Sequence, residues 1–178
     1  MVAGFYPHKG HFKVLKLARM FLDLGFDNFK FFFRGSHVYT SYVEDLKKEI
    51  VELGLQNFVE FEPFISKITL DEIYSKFDLV ILLSEYEGFG LPVLEAQSYS
   101  IPVACSGIEI FREVLQESVF YLSPDFNRND IEDFVKQICN QEILDEKIKK
   151  GLNNVKRFSW YEMSHDTLSL YKLFTKKV

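Results

Sequence analysis

The order of apolar segments along the chain constrains its fold more than any other feature. From residue 2 to residue 122, short apolar runs of strand length alternate with longer segments whose apolar residues recur at helical spacing. Alternation of this kind is typical of a parallel sheet with helices on both faces. We therefore predict an α/β fold with a Rossmann-like, doubly wound parallel sheet. The strands are predicted at residues 2–6, 29–34, 58–61, 79–84, 102–105 and 119–122.

The helical segments have recognisable termini. A glycine after an amphipathic pattern is typical of a helix C-cap, and a Thr followed three residues later by Glu is typical of a capping box. From residue 129 onward the pattern is helical in two or three segments, and no linker composition divides the chain, so residues 1–178 are interpreted as one domain. The predicted helices cover residues 11–24 and 41–53, with C-caps at Gly25 and Gly54 and a capping box at Thr69 and Glu72.

Composition narrows the function classes. The net charge of −5 argues against a nucleic-acid-binding protein, although it is compatible with a small phosphate site. Cys105 and Cys139 lack CxxC spacing, so they are interpreted as buried free thiols in a reducing, cytoplasmic compartment. The four histidines are scattered without metal-ligand spacing, so no metal site is expected.

The most informative stretch is SEYEGFGLPVLEA, directly after the apolar run LVILL. Gly88 and Gly90 allow a tight turn and a close backbone approach to a ligand, and Pro92 suits the first turn of a helix. The free N–H groups of such a turn, together with the helix dipole, favour an anion such as a phosphate. Glu87 and Glu95 flank the turn, where carboxylates can accept hydrogen bonds from sugar hydroxyls. This arrangement is more specific than a strand–turn–helix junction with two solvated glutamates.

The two glutamates, eight positions apart around Gly88-Phe89-Gly90-Leu91-Pro92, resemble the E-x7-E signature of the family-four retaining glycosyltransferases, the glycosyl transferases group 1. The resemblance covers essentially the whole chain, as the C-terminal, donor-binding domain of those enzymes. It implies one half of a GT-B fold, with the N-terminal acceptor domain absent from this sequence. The other matching stretches are residues 57–61, 70–79, 101–104, 113–114 and 158–160.

The resemblance also implies the ligand and the reaction. The donor would be a UDP-, GDP- or ADP-sugar, and the sugar would be transferred with retention of configuration, without a metal or another cofactor. Glu95 would hold the ribose hydroxyls, and Glu87 would contact the donor sugar as a catalytic residue. The backbone of the turn, at Gly88, Phe89, Gly90 and Leu91, would bind the sugar and the distal phosphate.

Cationic groups would stabilise the departing diphosphate. Lys9 lies in the loop after the first predicted strand, where the family has a lysine, and is the second catalytic candidate. Gly4 stands where the family often has an arginine, a departure that weakens the neutralisation or shifts it to another residue. His8 and Arg34 are candidates to assist. The remaining substrate-binding candidates are Pro63, beside the loop that would hold the base, and Ser106, after the fifth strand.

Other functions are compatible with the same fold. The chain could be a non-catalytic nucleotide-sugar-binding subunit of a split enzyme, or a fragment of a GT-B-fold epimerase or phosphorylase. As a glycosyltransferase domain, it is expected to act in polysaccharide or glycolipid synthesis, in the cytoplasm or at the inner face of the membrane. Membrane association would involve only the missing N-terminal domain or partner subunit, because this acidic chain offers no strong basic patch. The isolated chain is expected to bind the donor but to transfer little sugar.

Overall fold

The computed structural model describes residues 1–36, 39–63 and 69–175. Short strands and helices alternate along this part of the chain. The strands are β1 (Phe31–Gly35), β2 (Val59–Pro63), β3 (Val80–Leu82), β4 (Val103–Ser106) and β5 (Phe120–Leu122). The helices are α1 (His11–Asp23), α2 (Thr40–Glu52), α3 (Leu70–Tyr74), α4 (Leu91–Ser98), α5 (Glu109–Leu115), α6 (Arg128–Ile138), α7 (Gln141–Val155) and α8 (Trp160–Thr175).

All the strand pairs are parallel. β1 pairs with β2, with Phe33 opposite Phe61, and β4 lies between β3 and β5, with Ala104 opposite both Ile81 and Phe120. Parallel pairing needs a crossover connection between strands, and helices provide it here. The predicted α/β class is confirmed. Within the described residues the hydrogen-bonded ladder is divided into a sheet of β1 and β2 and a sheet of β3, β4 and β5.

The chain before α1 departs most from the prediction. The first predicted strand is only partly formed. Its residues run alongside β1 with one isolated parallel bridge, between Val2 and Arg34, and a further backbone bond from Phe5 to Ser36. The carbonyl of Ala3 lies so close to Gly35 that a Cβ on that glycine would come within 1.9 Å of the oxygen. After this close contact, a single 3-10 turn at Pro7–Lys9 leads into α1.

Helices cover both faces of β1. The ring of Phe33 contacts the ring of His11 in α1, with centroids 5.2 Å apart, whereas the ring of Phe32 contacts that of Phe77 after α3, at 6.0 Å. Because successive side chains of a strand point to opposite faces, α1 and the end of α3 lie on opposite sides of the sheet. The core consists of the buried strand residues and the inward faces of the helices.

Most predicted helix termini are confirmed. Gly25 and Gly54 follow α1 and α2 with left-handed φ angles of 77° and 68°, which glycine adopts without strain. Thr69 and Glu72 form the predicted capping box at the start of α3. Apart from the first strand, the predicted strands and the first two helices agree with the observed bounds within two residues.

The last helix packs unlike the others. No residue of α8 is buried, and its large apolar side chains are exposed, so this helix presents an apolar surface to the outside. None of the helices in the described ranges is long and apolar enough to cross a membrane. The most exposed apolar side chains of α8 are Trp160, Tyr161, Tyr171, Leu173 and Phe174.

Candidate functional site

The turn between β3 and α4 leaves backbone donors free. Among the described residues, the N–H groups of Gly88, Phe89, Gly90 and Leu91 donate to no hydrogen-bond acceptor. Pro92, the next residue, has no N–H. The positive end of the α4 dipole lies at the same place, because Gly90 is the N-cap of that helix. The turn therefore has the donors and the local potential that favour an anion.

The two glycines of the turn have different roles. Gly90 has a left-handed φ of 91°, and a Cβ there would lie 2.5 Å from a ring carbon of Phe111 in α5. The fold therefore requires glycine at this position. A Cβ on Gly88 would meet no atom within 4 Å, so Gly88 borders open space.

Lys9 and Glu87, the two predicted catalytic residues, form an ion pair. The Lys9 Nζ lies 2.8 Å from both carboxylate oxygens of Glu87, and the Ser84 hydroxyl donates to Glu87 Oε1 at 2.7 Å. The Glu87 side chain is only 8% exposed and that of Lys9 is 21% exposed. The hydroxyl of Ser106 donates to the Ser84 carbonyl, so the end of β4 is connected to the same cluster. The opposite charges of Lys9 and Glu87 cancel within this cluster.

The fold brings these two residues together, although they are 78 positions apart. A Cβ on Gly10, at the start of α1, would lie 2.0 Å from the carbonyl oxygen of Leu83, so the two backbones are in close contact. The N–H of Glu85 donates to the carbonyl of His8 at 2.8 Å. The loop before α1 is thereby fixed against the end of β3.

Glu95 lies in a separate cluster, with Tyr74 at the end of α3. The Tyr74 hydroxyl donates to Glu95 Oε2 at 2.8 Å and also lies 3.2 Å from the Pro92 carbonyl oxygen. Burial, and then the charge of Glu95, raises the pKa of Tyr74, which keeps this phenol protonated as a donor. Glu95 Oε1 accepts no hydrogen bond from a described residue. The sequence analysis missed Tyr74: a buried tyrosine needs a partner for its hydroxyl, but no sequence spacing identifies that partner.

The other predicted residues have more varied surroundings. The His8 ring stacks on that of Tyr86, with centroids 4.2 Å apart. At Gly4, where the family often has an arginine, an added Cβ would lie 2.8 Å from a carbon of the Tyr6 ring. Pro63 ends β2, but its side chain and the adjoining base loop at residues 64–68 lie outside the described residues.

Arg34 is not a surface charge. Its side chain is 5% exposed and pairs with Glu62, the opposite residue on β2. Lys76 lies 3.7 Å from the same carboxylate. The Nη1 of Arg34 is thus engaged with Glu62, whereas its buried Nη2 has no hydrogen-bond partner among the described residues.

The described side chains also leave a cavity of about 320 Å³ at the opposite edge of the sheet, where the strands begin. Its walls are mainly apolar, with several aromatic rings such as Phe29, Phe31 and Phe77, and it lies away from the glycine turn and both glutamates. Cys139 also lines it and is exposed, so the interpretation of both cysteines as buried is wrong for Cys139 and correct for Cys105. Within the described ranges, no group of three or more His, Cys, Asp or Glu side chains could hold a metal ion.

Known proteins resemble this chain in sequence and in fold. O-antigen chain mannosyltransferase RfbU of Salmonella typhimurium is 34% identical over 124 residues, which cover 70% of this chain and 34% of the relative. A glycosyltransferase structure from Rickettsia africae has a TM-score of 0.83 at 22% identity, over 100% of this chain and 48% of that chain. The C-terminal domain of a glycosyl transferase group 1 family protein from Francisella tularensis has a TM-score of 0.72 at 19% identity, over 85% of this chain and 80% of that chain.

These similarities agree on the family and on the extent of the match. The chain spans about a third of the length of the curated relatives it matches. The family model described as "Glycosyl transferases group 1" matches residues 1–155. With that match and the parallel α/β fold, the chain belongs to the glycosyl transferases group 1.

Proposed function

We propose that this chain is the donor-binding domain of a retaining glycosyltransferase that uses a nucleoside-diphosphate sugar. The observation that carries the proposal is the row of free N–H groups from Gly88 to Leu91, with a carboxylate on each flank. Backbone donors at a helix start suit a diphosphate, and carboxylates suit sugar hydroxyls. The fold similarity to an isolated C-terminal domain of the same family supports this placement.

The diphosphate would be bound mainly by the turn. Lys9 is already paired with Glu87, so their net charge is zero and the pair alone does not neutralise a diphosphate. The free amides and the α4 dipole supply fixed positive potential without a mobile counter-ion. On binding, Lys9 would share its three N–H donors between Glu87 and a phosphate oxygen. This arrangement supports transfer without a metal.

Glu95 would bind the ribose of the nucleotide. Its Oε2 is held by Tyr74, while its Oε1 is free to accept hydrogen bonds. A carboxylate fixed through one oxygen can receive a diol with little further ordering. Tyr74 therefore acts as a positioning residue for Glu95.

Transfer would require a second domain. Glu87, held by Lys9 and Ser84, would position the donor sugar at the turn, and the departing diphosphate would be stabilised by the free amides. The groups around the acceptor nucleophile, and most of the acceptor site, would come from the N-terminal domain, because the chain spans only about a third of the length of its relatives. We therefore expect the isolated chain to bind the donor and to transfer little sugar.

The name of the RfbU relative suggests a sugar and a pathway. It is an O-antigen chain mannosyltransferase, so we propose a hexose donor, with mannose as the first candidate, and a polysaccharide or glycolipid acceptor. The reaction would take place in the cytoplasm, at the inner face of the membrane. The exposed apolar side chains of α8 favour a second possibility, in which this chain is the donor-binding subunit of a split enzyme and docks a separate partner.

A thermal-shift panel tests the donor-binding proposal. We expect UDP, GDP or ADP, or one of their sugars, to stabilise the chain by roughly 2.7 kcal/mol at about 100 times its dissociation constant. Glu95→Ala should abolish most of this shift, because the ribose loses its acceptor. Glu113→Ala, which removes an exposed glutamate of α5, is the matched control and should keep the full shift. If no diphosphate shifts the wild-type chain, donor binding is refuted.

A further inference from the structure

Four aromatic rings form a row on the surface beside the Lys9–Glu87 pair. This ring row consists of Tyr39, Tyr6, His8 and Tyr86. His8 directly precedes Lys9, and Tyr86 directly precedes Glu87. The backbone bond between Glu85 and His8 therefore fixes the ring row and the ion pair together.

Each ring of the row contacts the next. The His8 and Tyr86 rings stack with centroids 4.2 Å apart and an interplanar angle of 17°. The Tyr6 ring stacks on His8 at 5.6 Å, and Tyr39 meets Tyr6 edge-on at 5.5 Å. The rings hold one another in place, so a ligand that stacks on them would order few new side-chain rotations.

The two ends of the row are open to solvent. Tyr86 is 63% exposed and Tyr39 is 51% exposed, although large aromatic side chains are usually covered. Next to Tyr86 in the chain, Glu85 is exposed and forms an ion pair with the half-buried Lys13 at 3.1 Å. The surface therefore combines open aromatic faces with a hydrogen-bonding carboxylate and ammonium.

We propose that the ring row is a binding subsite for the pyranose rings of the acceptor saccharide. An aromatic face carries partial negative charge and attracts the weakly positive C–H groups on one side of a pyranose. Glu85 accepts from the sugar hydroxyls and Lys13 donates to them. This inference rests on the proposed glycosyltransferase function, and it assigns part of the acceptor site to this domain.

The position of the row favours the acceptor over the nucleobase. The row adjoins Glu87, which would meet the donor sugar, whereas the ribose contact proposed for Glu95 belongs to the Tyr74 cluster. In the described residues, the Tyr74 ring stacks on Tyr99, and neither ring contacts the row. A saccharide on Tyr86 would lie beside the sugar that is transferred, as an acceptor must.

The test is a titration of the ¹⁵N-labelled chain with mannotriose, followed by two-dimensional NMR. We expect the amide signals of residues 85–87 and of His8 to shift with the saccharide. Tyr86→Ala should weaken binding about five-fold, the effect of losing one aromatic contact. Tyr86→Phe should bind like the wild type, because it keeps the ring. Tyr171→Ala, which removes an exposed tyrosine of α8, is the matched control and should also bind normally.

The same samples are tested for nucleotide stabilisation, which separates this inference from the proposed function. A nucleotide shift in the wild type with no response to 10 mM mannotriose, roughly the range of a weak single-ring contact, would overturn the ring-row subsite alone. The subsite would also be refuted if Tyr86→Ala weakened the nucleotide instead of the saccharide, since the rings would then hold the base. If the wild type responds neither to the nucleotides nor to mannotriose, the donor-binding proposal is refuted as well.

Discussion

At the scale of single residues, Gly90 links the fold to the turn. Its left-handed φ of 91° starts α4, and its missing side chain makes room for the ring of Phe111. The glycine thus permits both the helix start and the exposed amides before it. Gly88 lies two residues away in the same turn and has neither constraint.

Substituting each glycine should show which of the two positions the folded structure requires to be glycine. Gly90→Ala should lower the free energy of unfolding by roughly 2 to 4 kcal/mol, from the left-handed strain and the clash with Phe111. Gly88→Ala, the matched control, should change it by less than about 0.5 kcal/mol. Urea denaturation of the three proteins provides the measurement. Equal losses in both variants would show that the turn has a different conformation.

His11 makes the stability of the chain depend on pH. The ring is completely buried between aromatic side chains of β1 and α2, and its Nε2 has no hydrogen-bond partner in the described part of the chain. Burial, and then nearby positive charges, lowers the pKa of His11 from 6.5 to about 3. The unfolded chain therefore takes up this proton at a higher pH than the folded chain does. The His11 contribution is complete above pH 6.5 and is lost as the pH falls toward 3.

We predict that the unfolding free energy of the wild type depends more steeply on pH than that of His11→Phe. Between pH 6.5 and about 3, the wild type should lose up to ~1.4 kcal/mol of unfolding free energy per pH unit more than the variant. Phe keeps the ring but cannot be protonated. The matched control is His165→Phe, at an exposed position of α8, which should keep the pH profile of the wild type. Unfolding free energies are obtained from denaturation curves at each pH. If they fall equally with pH in the wild type and in His11→Phe, the lowered pKa of His11 is contradicted.

At the scale of elements, most strands and helix caps could be predicted from the sequence, whereas contacts between distant side chains could not. The buried strand β3 and the caps at Gly25 and Thr69 follow from local patterns, because short-range chemistry determines them. The predicted first strand forms only a bridge and single backbone bonds to β1, because its extent depends on tertiary contacts that no periodicity encodes.

The same distinction applies to the candidate site. The turn and its two glutamates were visible in the sequence, since they are contiguous. The family resemblance assigned Lys9 and Glu87 to the same site, but their ion pair was not predicted. The pairing of Tyr74 with Glu95, and the burial of Arg34, depend on packing between distant elements and were not predicted.

α7 supports the helix that carries the turn. The Asn154 side chain of α7 donates to Gln97 of α4 at 3.0 Å, and Gln97 donates to Ser118 at 2.7 Å. All three residues are buried. This small network, which also includes Arg157 at 2.7 Å from Asn154, fixes α4 against the C-terminal helices.

Breaking this network should destabilise the chain. Asn154→Ala should cost about 1 to 3 kcal/mol, because it leaves the buried side-chain oxygen of Gln97 without its donor, while Arg157 keeps the Val114 carbonyl as an acceptor. Asn153→Ala, at the exposed neighbouring position, is the matched control and should cost little. Thermal unfolding followed by circular dichroism would compare them. If Asn154→Ala unfolded at the same temperature as Asn153→Ala, this network would not be what stabilises α4 against α7.

At the scale of the whole molecule, the candidate site groups gather at one edge of the sheets. The turn, the Lys9–Glu87 pair and the ring row all lie where strands end, as ligand sites do in open α/β folds. α8 leaves the rest of the chain with an exposed apolar surface. A site at one edge and an apolar surface on α8 are compatible with the proposed donor-binding domain, which would work together with a second domain or subunit.

The most direct test is a backbone-amide NMR titration of the ¹⁵N-labelled chain with UDP, GDP and ADP. The account predicts that one of them causes its largest shifts at the amides of Gly88, Phe89, Gly90 and Leu91. Largest shifts in the aromatic cavity around Phe29 and Phe77, with the turn unchanged, would contradict it.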